Sequence, residues 1–229
     1  ITQKKLDRYC IGRGKYYFSR IHNSIILEAE DLYKTIFRPG EEVLFKDKGS
    51  KFFGYAFPVK NEDEINLALE EMKGKHHKAR HWCYAWQLGK RYDHYRANDD
   101  GEPSNSAGMP IYGQLQSFEV TNILVVVVRY FGGVKLGVGG LINAYKTTAQ
   151  LALEASDIKT KTINTEYKVT CEYPDMNKVM RVIKEKNLNV TNQILELDCQ
   201  IFISVRENEA ENIFDKFEGI YGVKIEEVE

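Results

Sequence analysis

The period of the hydrophobic pattern changes repeatedly along the chain, and each change marks an element. Residues 42–45 and 52–59 are strand-length apolar runs on either side of a lysine- and glycine-bearing turn at 46–51. Ile65, Ala68, Leu69 and Met72 then fall at i, i+3, i+4 and i+7, the spacing of a helix with one buried face, and Asn61 is placed to cap it. At 81–88 the period returns to two: Trp82, Tyr84, Trp86 and Leu88 alternate with His81, Cys83, Ala85 and Gln87. Residues 90–108 lose periodicity and are rich in Asp, Gly, Pro and Ser, which predicts a long loop, and loops of that length are more often functional than those of typical length. Pro110 suits the first turn of a helix that buries Ile111, Leu115 and Phe118. Residues 121–131 have a nearly unbroken apolar centre, the mark of a strand covered on both faces. Leu141, Ala144, Tyr145, Thr148 and Ala152 continue at helical spacing to about Ala155. This order predicts an α+β domain with its helices on one sheet face.

The last part of the chain reads as a second unit. Residues 166–173 form a strand, and 174–187 a helix burying Met176, Val179 and Ile183. Residues 188–195 and 199–205 read as a hairpin, because Cys199, Ile201, Ile203 and Val205 alternate with Gln200, Phe202 and Ser204. Ala210, Ile213, Phe214 and Phe217 give another helix, and 221–228 a closing strand. The order βαββαβ is the ferredoxin-like pattern. The boundary falls within 160–165, giving expected domains at 31–162 and 163–229. Residues 1–30 bear Tyr, Lys and Arg without clear periodicity and are expected to be a poorly ordered N-terminal extension.

Composition narrows the class. Hydrophobic residues are 43% of the 229 and charged residues 28%, as in soluble globular proteins. The longest apolar run, 123–128, is far short of the roughly 20 residues that span a bilayer. Residues 1–30 lack the apolar stretch and cleavage site of a signal peptide. Cys10, Cys83, Cys171 and Cys199 are scattered without a CxxC pair, so the expectation is a cytoplasmic protein with reduced thiols and no membrane partner. The net charge of −1 hides an asymmetry: residues 165–229 hold 8 basic and 14 acidic side chains, a balance of −6, leaving +5 for 1–164. An anionic partner should therefore meet the first part of the chain.

Three constellations could carry chemistry. The first is the run RYFGGVKLGVGG at 129–140, where a buried strand enters a loop with Gly132, Gly133, Gly137, Gly139 and Gly140 and then a helix. Glycine allows close backbone approach, and a helix N-terminus presents unpaired N–H groups that suit phosphate or carboxylate. Arg129 and Lys135 add two formal charges to that candidate anion site. The run is neither a Walker loop nor GxGxxG, and tight turning with close helix–sheet packing would explain the same glycines. The second is DDGEPS at 99–104, where Asp100 and Glu102 are candidate acid/base or metal-binding carboxylates. An Asp-Gly turn whose carboxylates cap backbone N–H groups is the plainer alternative. The third is His76, His77, His81 and Cys83, ringed by Lys73, Lys75, Lys78 and Arg80. The spacing is poor for zinc, and no metal or cofactor is expected. His77 and His81 remain candidate proton shuttles, and Cys83 is either a nucleophile or a small buried hydrophobe.

The runs HHKARHWCYAW at 76–86, DDGEPSNSAGMPI at 99–111 and TNILVVVVRYFGGVKLGVGGLINAY at 121–145 together resemble the signature of the YigZ/IMPACT family, which is linked to regulation of translation. The resemblance covers most of 31–155. It implies a first domain similar to the second domain of small-subunit ribosomal protein five and a ferredoxin-like second domain. It also implies that Asp100 and Glu102, with Cys83 and Ser104, line one cleft with the glycine loop. Where the family often has Arg, this chain has Asn143, which removes a positive charge. Eukaryotic members carry a separate N-terminal domain that engages the co-activator of the amino-acid-starvation kinase. Residues 1–30 are too short for it, so the expected architecture is the bacterial one.

The leading expectation is a non-enzymatic, translation-linked regulator or binding protein. Its first domain would engage RNA phosphate, a nucleotide or a ribosome-associated protein through Arg129, Lys135 and the glycine loop. The alternative is an enzyme of undefined class acting on a phosphorylated small molecule or peptide, with Asp100 and Glu102 as acid/base or metal groups and His77 or His81 as proton shuttle. The acidic second domain lacks an RNA-binding aromatic signature and is not expected to help. Oligomeric state is not readable from the sequence.

Overall fold

The unbroken apolar run becomes the central strand of a five-stranded sheet, buried on both faces as its composition requires. The computed structural model describes residues 31–228, so the expected extension at 1–30 lies outside the described residues. In chain order the first elements are β1 (Leu32–Ile36), β2 (Val43–Asp47), β3 (Ser50–Pro58), α1 (Glu62–Lys75), β4 (His81–Leu88) and β5 (His94–Asn98). They are followed by α2 (Gly108–Phe118), β6 (Ile123–Tyr130), α3 (Gly137–Glu154) and β7 (Ile158–Thr162). The sheet order is β2-β3-β6-β4-β5, antiparallel throughout, while β1 and β7 pair as a separate two-stranded ribbon.

On β6, Ile123, Val125 and Val127 enter a core with α2 and α3, through Ile111, Leu115, Leu141, Tyr145 and Leu153. Leu124, Val126 and Val128 enter a second core with Ile65, Leu69 and Met72 of α1. The helices therefore cover both faces, not one as the element order predicts. The physical reason lies in β6 itself: a strand apolar at every position leaves water no face to wet. Asn61 caps α1 as predicted, accepting the Glu64 N–H at 2.9 Å. The predicted loop at 90–108 contains β5, whose sequence HYRAN is polar because it is an exposed edge strand.

The remaining elements are β8 (Asn164–Cys171), a short 3-10 turn at Tyr173–Asp175, α4 (Met176–Glu185), β9 (Asn189–Leu195), β10 (Cys199–Arg206), α5 (Glu207–Glu218) and β11 (Val223–Val228). Their antiparallel order β11-β8-β10-β9 is that of a ferredoxin-like βαββαβ fold. Both helices pack on one face through Val179, Ile183, Ile213 and Phe217. The described chain thus falls into two compact units, 33–161 and 162–228, the latter joined by residues 31 and 32. Asp31 belongs with the second unit because its buried carboxylate takes two hydrogen bonds, of 2.6 and 2.9 Å, from Arg206.

Candidate functional site

The DDGE segment closes a tight turn: the Glu102 N–H donates to the Asp99 carbonyl at 2.9 Å, and Asp100 and Gly101 both have positive φ. The Asp99 carboxylate accepts the backbone N–H groups of Asn105, Ala107 and Gly108 at 2.8–2.9 Å. It thereby caps α2, whose own first turn has no acidic residue. The Asp100 carboxylate accepts the Trp82 N–H at 2.6 Å, and its carbonyl accepts from His81 Nδ1 at 2.8 Å. Two of the three carboxylates thus fulfil the plainer, turn-capping alternative. Asp99→Ala should lower the stability of this unit by about 1–2 kcal/mol. Urea unfolding followed by tryptophan fluorescence reads that unit selectively, because both tryptophans of the chain, Trp82 and Trp86, lie on β4.

Glu102 is placed differently. The register of β4, β6 and β3 sets His81, Arg129 and Phe52 in one row across the sheet, on the α3 side. Glu102 reaches that row from its turn, and its Oε1 accepts from Arg129 at 2.6 Å and from the Tyr145 hydroxyl at 2.8 Å. The pair is nearly dry, the two side chains being 7% and 4% exposed. Beside it opens a cleft of about 490 Å³, rimmed by Arg80, His81, Glu102, Arg129, Lys135 and the start of α3. The expected shared cleft therefore contains Glu102, His81 and, of the five glycines, Gly137; Gly132, Gly133, Gly139 and Gly140 do not line it. Asp100 is bonded to the β4 backbone, while His77 and Ser104 are exposed and do not line it.

The charges of this cleft differ from the sequence expectation. Arg129 is neutralised by Glu102 and stacked over the Phe52 and Phe131 rings, while its Nε is buried without a partner. Lys135 and Arg80 are exposed, and α3 begins with no side-chain cap and no acidic residue in its first turn. The N–H groups of residues 137–139 are therefore the neutral donors available to an anion. His81 Nδ1 faces a carbonyl, which can only accept, so Nδ1 carries a proton and, in the neutral ring, Nε2 is the nitrogen with the lone pair. Cys83 is fully buried, 3.3 Å from the Tyr145 hydroxyl, and burial pushes its thiol far above the ordinary range. It is the small buried hydrophobe of the two sequence alternatives, behind the cleft and protonated. Among the described residues no His, Cys, Asp and Glu side chains are grouped as metal ligands. No described helix is long and apolar enough to cross a membrane.

Sequence reasoning passed over a second cleft. On the α1 side of the same strands, Tyr130 lies opposite Lys51, and together with Phe53, His76, Phe131 and Gly49 they line about 420 Å³. A directed hydrogen-bond chain stands behind it. Tyr55 donates to the Glu42 carboxylate at 2.6 Å, so its oxygen accepts from His76 Nε2 at 2.6 Å, and His76 Nδ1 accepts from the Tyr130 hydroxyl at 3.0 Å. Lys75 also donates to Glu42, and the Tyr55 hydrogen bond, helped by that of Lys75, holds that carboxyl below its usual range. Burial lowers the His76 pKa, which keeps the ring neutral, as the chain requires. Alternation along β6 was the signal that could have found this cleft, since Arg129 and Tyr130 must face opposite sides.

Comparison with known proteins matches this arrangement to one family. A model of the Impact N-terminal domain matches residues 48–153, which include both clefts. An IMPACT family member of Haemophilus influenzae is 30% identical over 76% of this chain and 86% of its own length. The Escherichia coli IMPACT family member YigZ is 34% identical over 69% and 77%. A crystal structure of a hypothetical protein superposes over 87% of this chain and 98% of its own with a TM-score of 0.62 at 25% identity. With its match over the first unit and relatives of this similarity spanning most of both chains, this protein belongs to the YigZ/IMPACT family.

Proposed function

We propose that the protein is a cytoplasmic, translation-linked regulator whose first unit binds a phosphate group of RNA or of a nucleotide in the cleft at the start of α3. The translational setting is what the family resemblance implies. The observation that carries the site is the uncapped N-terminus of α3 opening into a cleft rimmed by Lys135 and Arg80. Gly139 supports it: a Cβ there would meet no neighbouring atom, so the glycine answers no packing need and leaves the helix end open. A ribosome-associated partner would be reached through the same phosphate-bearing surface.

The test uses tripolyphosphate and a single-stranded RNA oligonucleotide, titrated at several salt concentrations. Lys135→Ala should weaken both and reduce the salt slope by about one. Gly139→Asp places a carboxylate in the first turn of α3, which stabilises a helix by about 0.3–1 kcal/mol. The same carboxylate repels an anion, so binding should fall about ten-fold or more while the melting temperature holds or rises. Unchanged binding in both variants would refute the site.

One geometry favours the enzyme alternative: His81 Nε2 and the Glu102 carboxylate share this cleft. Phosphate release from nucleotides that disappears in His81→Gln, with binding retained, would establish it over simple binding.

A further inference from the structure

The second cleft offers rings where the first offers donors. Phe53, His76 and Tyr130 pack with ring centroids 5.2–5.8 Å apart, and Phe131 stands 46% exposed at the rim. Both His76 nitrogens are occupied by tyrosine hydroxyls, so this ring has no free nitrogen for proton transfer and presents only its surface. Tyr130 gives its proton to His76 and keeps lone pairs for a ligand's N–H or O–H. Exposed Lys51 supplies a cation at the mouth. Phe131 belongs to both clefts, and the adjacent residues Arg129 and Tyr130 line one each, so the two open at the same end of β6. A ligand that uses both must alternate an anion with a flat ring.

We propose that the second cleft is a nucleobase-stacking subsite for single-stranded RNA, whose strand passes Phe131 so that a neighbouring phosphate enters the cleft at α3. An apolar peptide would satisfy the rings but not the uncapped helix end or Lys51. A duplex hides the faces of its bases, so only an unpaired base can lie on these rings. The inference rests on the phosphate reading above and extends it to the chemistry beside the phosphate.

The experiment compares two probes on the full chain: a ten-nucleotide RNA carrying one 2-aminopurine, and tripolyphosphate, which has charge but no base. Phe53→Leu and Phe131→Leu keep apolar bulk and remove a ring. Each should weaken RNA about five- to ten-fold and reduce 2-aminopurine quenching, in line with the usual contribution of base–aromatic stacking. Phe53 lies outside the phosphate cleft, so Phe53→Leu should keep tripolyphosphate affinity within about two-fold. RNA binding and quenching unchanged in both variants, or equal losses for both probes in Phe53→Leu, would overturn the base subsite. Failure of wild type to bind tripolyphosphate would instead remove the phosphate reading, whatever the leucine variants do to RNA.

Discussion

Arg129→Ala is expected to destabilise the first unit by about 3–5 kcal/mol, because it strands the Glu102 carboxylate in a site that excludes water. The 2.6 Å contact joins side chains only 7% and 4% exposed, and the Tyr145 hydroxyl donates to the same oxygen. One neutral hydroxyl cannot balance a buried charge, so the variant keeps the desolvation cost of Glu102 without the partner that offset it.

The companion variant separates charge from packing. Arg129→Met with Glu102→Gln removes both charges while keeping an apolar stem over the Phe52 and Phe131 rings. Replacing both members of a buried pair is often nearly neutral, so the double variant should recover most of the loss. Tryptophan-detected urea unfolding of the single and double variants measures both effects. A single-variant loss below about 1 kcal/mol, or no recovery in the double variant, would show that the pair is solvated and the cleft wet.

Legibility followed sequence distance. The hairpin of β2 and β3, the cap and face of α1, the alternation of β4 and the ferredoxin-like order all rest on patterns within one or two elements. The structure reproduces those elements with shifts of a few residues at their ends. β5 stayed hidden because an exposed edge strand has no buried face and hence no alternation to read. β7, sequence IKTKT, is polar for a similar reason, being one strand of a two-stranded ribbon. At the site, the capping work of Asp99 spans at most nine residues and is what an Asp-Gly turn leads one to expect. The partner of Glu102 lies 27 residues away and that of His76 up to 54, beyond any local pattern. Counting Arg129 as a free charge follows from the same blindness, since only the fold reveals what neutralises it.

The glycine loop can be separated, residue by residue, into what the fold needs and what a ligand would need. Gly132→Ala should be the most damaging alanine in the series. A Cβ there would lie 1.9 Å from the Gly49 carbonyl carbon and 2.2 Å from the Ser50 nitrogen, all backbone, while the Gly132 N–H is tied to Ser50 Oγ. Relief requires parting the β2–β3 turn from the exit of β6, which should cost about 3 kcal/mol, at the upper end of overpacking effects. Gly133 has φ +90 but open space around it, so alanine there meets only backbone strain, about 1–2 kcal/mol. Gly139→Ala has neither clash nor positive φ and should stabilise α3 by up to about 1 kcal/mol. Unfolding free energies in that order, with opposite signs at the two ends, would assign Gly132 to the turn packing and leave Gly139 to the ligand. Equal losses at all three positions would mean that the whole loop is structural, and the open end of α3 would lose its strongest support.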